Sequence, residues 1–451
     1  MRRGTTRILI VGGGFGGTYT ALALEKAMRR RRDLEVTLIN RANFFLYFPL
    51  LPEVVSDGVD ARHVVVPLRT LFKRVRVVEA EVRSVDEGRR EVLAHRDGMQ
   101  EFFPFDQLVL ATGAEANLAA FSGIEPIAFP FKSAEDAIAL HNQIVDCFEA
   151  AEFAMDAATR RALLTFAVVG GGSTGVECLG EIEAYVNGII RYYPRLDRHD
   201  VRLVLIELAD HLINEVGPEL GAYAADQLVK RGIEVHLGVS VQNATSTEIT
   251  LSDGLVIPTQ TLVWTIGMTP GELVKSLDLP KDRKGYLQAE NTMAIAGHPG
   301  LWAIGDCAKI PSPEGTPYPP TAQHAEREAK RLACNILASI DGAPPKPYVF
   351  HTLATFVSIG GQKGVAMVRG RPVRGFLAWL LWRAVHLTLL PGLNRKLHVL
   401  VDWLFSRRFR KDIVELGLRR PPSQMVVRTK LAFLREGTPV PSSPPSEPPL
   451  I

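Results

Sequence analysis

Twice in this chain a short apolar run leads into a glycine loop and then into a stretch with helical character. The first copy is Ile8-Leu9-Ile10-Val11, then Gly12-Gly13-Gly14-Phe15-Gly16-Gly17, then a helix predicted from about Thr18 to Arg30. The second is Phe166-Ala167-Val168-Val169, then Gly170-Gly171-Gly172-Ser173-Thr174-Gly175, then a helix predicted from about Val176 to Arg191, 158 residues further on. Each is followed by another strand, at 35–39 and at 202–206. Strand, tight turn, helix and strand in that order make a βαβ unit. Both loops fit GxGxxG, on Gly12, Gly14 and Gly17 and on Gly170, Gly172 and Gly175. In such a loop the first glycine makes the turn, the second lets the backbone approach a pyrophosphate, and the third lets helix and strand pack closely. The pyrophosphate then lies against free amides at the positive end of a helix dipole. A single loop is compatible with a turn that binds nothing; two, each in its strand and helix context, point to two dinucleotide sites.

The second strand of such a unit normally ends on an acid that holds the adenosine ribose. In the second unit that residue is Glu207, which follows an insertion at 192–200 rich in tyrosine, proline and charge. A carboxylate there repels a 2′-phosphate, so NADH is expected over NADPH. In the first unit the equivalent position is Asn40, followed by Arg41. An amide hydrogen-bonds a hydroxyl but brings no charge. Two further turns fit a nucleotide domain. Leu108-Val109-Leu110 runs into the small-residue turn Ala111-Thr112-Gly113-Ala114, and Leu301-Trp302-Ala303-Ile304-Gly305 delivers Asp306 at a strand end, where open α/β sheets bind ligands.

At 451 residues and 46% hydrophobic composition the chain is long enough for two or three domains. Its net charge of +3 conceals an asymmetry: residues 369–430 carry a net +11 and the remainder −8. A basic segment on an acidic body suits a polyanionic partner, nucleic acid or an anionic membrane surface. Its aromatic residues interleave with aliphatic ones instead of forming a stacking platform, so no nucleic acid is expected. The four cysteines, Cys147, Cys178, Cys307 and Cys334, show neither CxxC nor CxxxxC spacing and no metal-ligand pairing with histidine, which suggests reduced thiols and no metal. The few residues before the first strand leave no room for a secretory signal, so the body of the protein is expected in the cytoplasm.

The longest nearly apolar stretch, 375–394, is interrupted by Arg383, His386 and Pro391-Gly392 and makes a poor spanning helix. Beyond it, Leu397, Leu400, Val401, Leu404 and Phe405 fall on one helical face, with Lys396, Asp402, Ser406 and Arg410 on or near the other and Arg395, Arg407, Arg408 and Lys411 flanking. With Trp379, Trp382 and Trp403 close by, this is the composition of helices lying in a lipid interface. A core-packed amphipathic helix is the competing reading. Residues 436–451, rich in proline and serine, are expected to be disordered.

In order, GGGFGG, ATGA, GGGSTGVE, a strand-end glutamate, WTIG and WAIGDCA resemble the two-dinucleotide-binding-domain flavoproteins. Within them the chain is similar to the type II (alternative) NADH:quinone oxidoreductases, through Tyr47-Phe48-Pro49-Leu50-Leu51-Pro52-Glu53-Val54, the Ala322-Gln323 pair and the basic, aromatic C-terminal region. The resemblance implies an α/β fold of two Rossmann-like domains plus a C-terminal amphipathic helical membrane-association region. FAD would occupy 1–115 and 280–345, NADH 116–279, and 346–435 would be the membrane region. It implies Gly12, Gly14 and Gly17 at the FAD pyrophosphate, Asn40, Arg41, Thr112 and Gly113 elsewhere on FAD, and Asp306 on its ribityl chain. NADH would take Gly170, Gly172, Gly175, Glu207 and Gly267. Glu177 matches the family glutamate near nicotinamide and flavin; its other reading is a favourable acid in a first helical turn. Gln323 matches the glutamine on the quinone side. The usual AQxAxQ pattern is here AQHAER, with Arg327 in place of the second glutamine. His324 reads as a helix-surface residue, with proton donation to reduced quinone as its other reading, and Lys363 is a further candidate in the same region.

The implied activity is transfer of hydride from NADH to FAD and of two electrons to a membrane quinone, without proton pumping, by a peripheral protein on the cytoplasmic face of the cell membrane. A homodimer is left open. Two rivals remain at this stage: a soluble FAD-dependent NADH oxidoreductase acting on a protein carrier or oxygen, and a redox-responsive FAD/NADH-binding scaffold. A disulfide reductase needs two neighbouring cysteines that this sequence lacks. Cys178 and Cys307, each beside a nucleotide loop, read as packing residues.

Overall fold

The computed structural model describes residues 5–118, 127–406 and 411–414. Two compact units emerge. Among the described residues, unit 1 comprises 5–117, 132–134 and 266–406, and unit 2 comprises 118, 127–131, 135–265 and 411–414. Five helices organise the candidate site: α1 (Phe15–Met28), α2 (Ser173–Ile189), α3 (Ala322–Ile340), α4 (Phe376–Leu389) and α5 (Leu393–Phe405).

Each unit is built on a five-stranded parallel sheet whose central strand carries a glycine loop. In unit 1 the order is Leu301–Ala303, Gln107–Leu110, Thr6–Val11, Leu34–Asn40, Arg76–Glu79. In unit 2 it is Ala128–Pro130, Thr261–Trp264, Thr165–Val169, Arg202–Glu207, Glu234–Leu237. Parallel strands covered on both faces read as continuous apolar runs; every residue of Thr165–Val169 is buried, and so are Ile8 to Val11. The registers correspond. Val11 lies between Ile39 and Leu110, and Val169 between Ile206 and Trp264, so each glycine loop leaves the sheet between two strand ends. The Ala111-Thr112-Gly113 turn and the Thr265-Ile266-Gly267 turn are therefore counterparts.

Three expectations change. Helices α1 and α2 begin at Phe15 and Ser173, three residues earlier than predicted in each case. Glycine is a poor helix former, but Gly16, Gly17 and Gly175 are buried in the first turns, where contact with the sheet outweighs propensity. The middle unit ends at Thr265, not near 279, because Met268–Pro270 pairs antiparallel with Ala114–Ala116 in unit 1; Gly267 accordingly belongs to unit 1. Finally, the C-terminal region is not all helical. Ala354–Ser358, Gly364–Val368 and Arg371–Gly375 form a three-stranded antiparallel sheet against which α4 packs. A Cβ on Gly364 would lie 2.9 Å from the Trp379 nitrogen, which accounts for glycine there.

Pro391 and Gly392 divide α4 from α5, and among the described residues no helix is long and apolar enough to cross a membrane. The tryptophans contradict their assignment to a lipid interface. Trp379, Trp382 and Trp403 are 7%, 2% and 6% exposed. The Arg383 guanidinium lies 4.6 Å from the Trp379 ring centre and 4.5 Å from that of Trp403. Its Nη2 pairs with Glu53 Oε1 at 3.4 Å, and the Trp403 indole N–H donates to Glu53 Oε2. A carboxylate only 4% exposed requires a paired cation, so Arg383, which interrupts the apolar run, helps to dock the hairpin, as do His386 against Tyr47 and Asp402 against His63. The leucine face remains outside: Leu393, Leu397, Leu400, Val401, Leu404 and Phe405 are all exposed, Leu393 to 74% and Leu404 to 65%. Arg407, Arg408, Arg410 and the tail at 436–451 lie outside the described residues.

Candidate active site: two dinucleotide cradles

The glycines of the first loop behave as their three roles demand. Gly12 has φ +108°, and a Cβ there would lie 2.2 Å from the Ala111 carbonyl oxygen. A Cβ on Gly17 would come within 1.7 Å of the Gly12 oxygen, while one on Gly14 would meet nothing within 4 Å. The turn and the packing contact are thus closed to any larger residue, and the middle glycine opens onto space. The second loop repeats this. Gly170 has φ +110°, a Cβ on Gly175 would be 1.9 Å from the Gly170 oxygen, and one on Gly172 would meet nothing within 4 Å. Gly14 and Gly172 are the N-caps of α1 and α2, and neither cap has a side-chain hydrogen bond. That leaves a positive, amide-lined cradle at each helix start, suited to an anionic pyrophosphate.

The strand-end residues close the loops. Asn40 accepts from the Gly13 N–H at 2.8 Å and donates to the Ala42 carbonyl at 2.8 Å. Glu207 accepts from the Gly171 N–H and, at 2.7 Å, from the Ala209 N–H. Arg41 is exposed and pairs with Glu115 at 2.8 Å. At the other edge of the first cradle, Thr112 and Gly113 (φ +70°) follow the Gln107–Leu110 strand. Asp306 sits in the turn after Leu301–Ala303 and accepts a hydrogen bond from Lys132 Nζ at 3.1 Å. Gly267 (φ +71°) occupies the corresponding turn after Thr261–Trp264 and is exposed.

Helix α3 brings Gln323 to the first cradle's unit. Thr321 caps it, accepting from the His324 N–H, so Gln323 lies in the first turn. Further along, Glu328 accepts from the Gly305 N–H at 2.9 Å, tying the helix to the turn that bears Asp306. Burial pushes the Glu328 carboxyl up to about 7, the Gly305 N–H opposes the rise and the charge of Asp306 adds to it. Gln323 Oε1 is buried and has no hydrogen-bond partner among the described residues. An orphaned buried carbonyl is costly unless a ligand serves it. With the open Gly14 amide region and Asp306, it makes unit 1 fit a flavin dinucleotide.

His324 contradicts its assignment to the helix surface. It is 3% exposed, with Nδ1 3.1 Å from the Tyr348 hydroxyl and Nε2 3.4 Å from the Thr352 hydroxyl, and burial pushes its pKa down. Arg327 is exposed and stacks on Phe350 at 4.9 Å. Lys363 belongs to the turn joining Ala354–Ser358 to Gly364–Val368. In unit 2, Glu177 is half-buried on α2. Because the helix starts at Ser173, Glu177 lies past the first turn, where a helix-dipole role fades. Cys178 and Cys307 are buried, and burial raises both thiols, consistent with packing. Glu328, Lys132 and the Glu53–Arg383 pair were missed in the sequence, because each is defined by a partner 23, 174 or 330 residues away.

Residues 6–329 match the pyridine nucleotide-disulphide oxidoreductase family. The type II NADH:quinone oxidoreductase Ndh of Mycobacterium tuberculosis is 31% identical over 449 residues, 95% of this chain and 93% of that protein. The demethylphylloquinone reductase NdbB of Synechocystis is 30% identical over 406 residues, 88% of this chain and 95% of the relative. Among solved structures, that of NDH2 from Plasmodium falciparum in complex with NADH superposes with a TM-score of 0.84 at 18% identity, covering 91% of this chain and 100% of the other, which is a likeness of fold. With two glycine-loop cradles on matching parallel sheets and this extent of similarity, the chain belongs to the type II NADH:quinone oxidoreductases of the pyridine nucleotide-disulphide oxidoreductase family.

Proposed function

We propose that the protein oxidises NADH and reduces a membrane quinone, with FAD in the first cradle and NADH in the second. The observation that carries this reading is the pair of matching cradles, each with its middle glycine facing open space. The chemistry that FAD supplies when bound is two-electron transfer between NADH and a quinone. The residues supply position and electrostatics. Gly12, Gly14 and Gly17 hold the FAD pyrophosphate, Asn40 and Arg41 face its adenosine side, and Thr112, Gly113 and Asp306 its ribityl side. Gly170, Gly172 and Gly175 hold the NADH pyrophosphate, and Glu207 binds the ribose and disfavours a 2′-phosphate. Glu177 stands at the nicotinamide. Gln323 offers its unpartnered carbonyl on the quinone side.

The FAD domain is unit 1 and the NADH domain unit 2. The bare leucine face of α5 lies in the lipid interface, with Arg395 and Lys396 on anionic headgroups. A contiguous exposed apolar face of this kind calls for a partner. The protein is then peripheral, on the cytoplasmic face of the cell membrane.

The test is anaerobic mixing of the purified holoprotein with NADH, followed by a short-chain quinone. NADH is expected to bleach the flavin absorbance and quinone to restore it; bleaching without restoration would remove the quinone, and no bleaching would remove the enzyme. For the membrane, flotation with anionic liposomes is expected to survive high salt and to be lost in a L400E/L404E variant.

A further inference from the structure

We infer that Lys132 is the cation of the flavin site, balancing Asp306 and stabilising the negative charge that reduction puts on the bound FAD ring. This rests on the reading that FAD occupies the first cradle. Lys132 comes from the middle of the chain, yet Lys132–Ala134 belongs to unit 1 while Phe131 and Glu135 on either side belong to unit 2. Its ammonium is held from two directions, by Asp306 Oδ2 at 3.1 Å and by the Phe48 ring, 5.1 Å from its centre. Phe48 follows Tyr47, whose ring packs 5.8 Å from that of Phe15, a residue of the glycine loop itself. The pair is partly shielded from water, the Lys132 side chain at 36% exposure and that of Asp306 at 24%.

The reaction explains why a cation is needed. When bound, FAD would supply a ring able to take up one proton and two electrons as hydride, and that ring would carry one net negative charge until water supplied a second proton. The turn that would hold FAD carries an acid at Asp306 and has a second, Glu328, hydrogen-bonded to Gly305. Both carboxyls disfavour that charge when ionised. Lys132, already in contact with Asp306, offsets them. Phe48 keeps the ammonium in place through its ring face. No other co-reactant enters the balance: NADH supplies the hydride and water the proton.

The experiment is a midpoint-potential titration of holoprotein carrying Lys132→Met, Lys132→Gln or Lys132→Arg, with FAD retention measured alongside. Met and Gln are expected to shift the oxidised-to-reduced equilibrium at least tenfold toward oxidised, about 30 mV more negative for a two-electron couple. Arg is expected to stay close to the native value. An unchanged potential in FAD-loaded K132M and K132Q would overturn the inference, and so would an Arg variant displaced as far as Met. Loss of FAD from all three would also overturn it, since Lys132 would then serve retention and not redox balance. Gly17→Ala, whose Cβ would collide with the Gly12 carbonyl and close the cradle, separates the two readings. If it keeps FAD as tightly as the native protein, the cradle assignment fails; if it loses FAD while K132M leaves the potential unmoved, only the role of Lys132 fails.

Discussion

The two glycine loops share one skeleton and differ in the side chain that closes it. Gly12 and Gly170 have nearly the same φ, +108° and +110°, and the third glycine of each loop touches the carbonyl of the first. In the first loop the closing side chain faces one N–H, from Gly13, and one carbonyl, from Ala42. An amide accepts from one and donates to the other, which an ionised carboxylate cannot do. In the second loop it faces two N–H groups, from Gly171 and Ala209, and a carboxylate accepts from both. Asn40 is therefore not an acid that has lost its charge. The direction of a single peptide group after the strand decides between asparagine and glutamate.

Glycine substitutions break the comparison most severely. Gly17→Ala and Gly175→Ala each drive a Cβ into a backbone carbonyl, at 1.7 Å and 1.9 Å. G17A is expected to purify without flavin, and G175A to keep flavin while NADH affinity falls more than about tenfold, a loss above about 1.4 kcal/mol. Flavin absorbance before and after NADH reads both. Native bleaching in G175A would show that the second loop does not hold NADH.

A feature of the first cradle alone comes next in size. Burial raises the Glu328 carboxyl in the folded state from 4.5 to about 7, so the folded state binds the proton more tightly than the unfolded chain. Stability then falls as pH rises from about 4.5 to about 7, by on the order of 3 kcal/mol. Denaturant titrations across that range are expected to show the decline in native protein and a flatter profile in Glu328→Gln.

The closing residues give the finer tests. Asn40→Asp sets a carboxylate against the Ala42 carbonyl and is expected to cost about 1–3 kcal/mol in thermal unfolding. Acid relieves this cost, since a protonated carboxyl donates where the amide did. Glu207→Gln turns one amide donor toward an N–H. A roughly tenfold higher KM for NADH is expected, worth about 1.4 kcal/mol, with a narrower preference over NADPH. If N40D and E207Q behave alike at neutral pH, the peptide-direction account is wrong.

Much of this was legible because it is local. Gly12, Gly14, Gly17 and their counterparts in the second unit announce a loop whose backbone no other residue fits. The register of Leu397, Leu400, Val401, Leu404 and Phe405 announced an apolar face, and the fold leaves its leucines exposed. The tryptophans beside it were misread, and for an instructive reason: interfacial and core aromatic residues look the same until their partners are known. Trp403 is buried because Glu53, 350 residues earlier, takes its N–H. His324 looked like a surface residue because its neighbours Gln323, Glu326 and Arg327 are polar, yet Tyr348 and Thr352 close over it.

By itself, then, the sequence determined the two βαβ units, the glycine geometry and the periodicity of the last helix, all consequences of steric limits acting within a few residues. Only the tertiary structure decided which distant charges are paired. Arg383 helps to dock a helical hairpin through Glu53, and Lys132 meets Asp306 in the first unit. Burying a charge is tolerable only beside its partner, and that partner comes from a distant part of the chain.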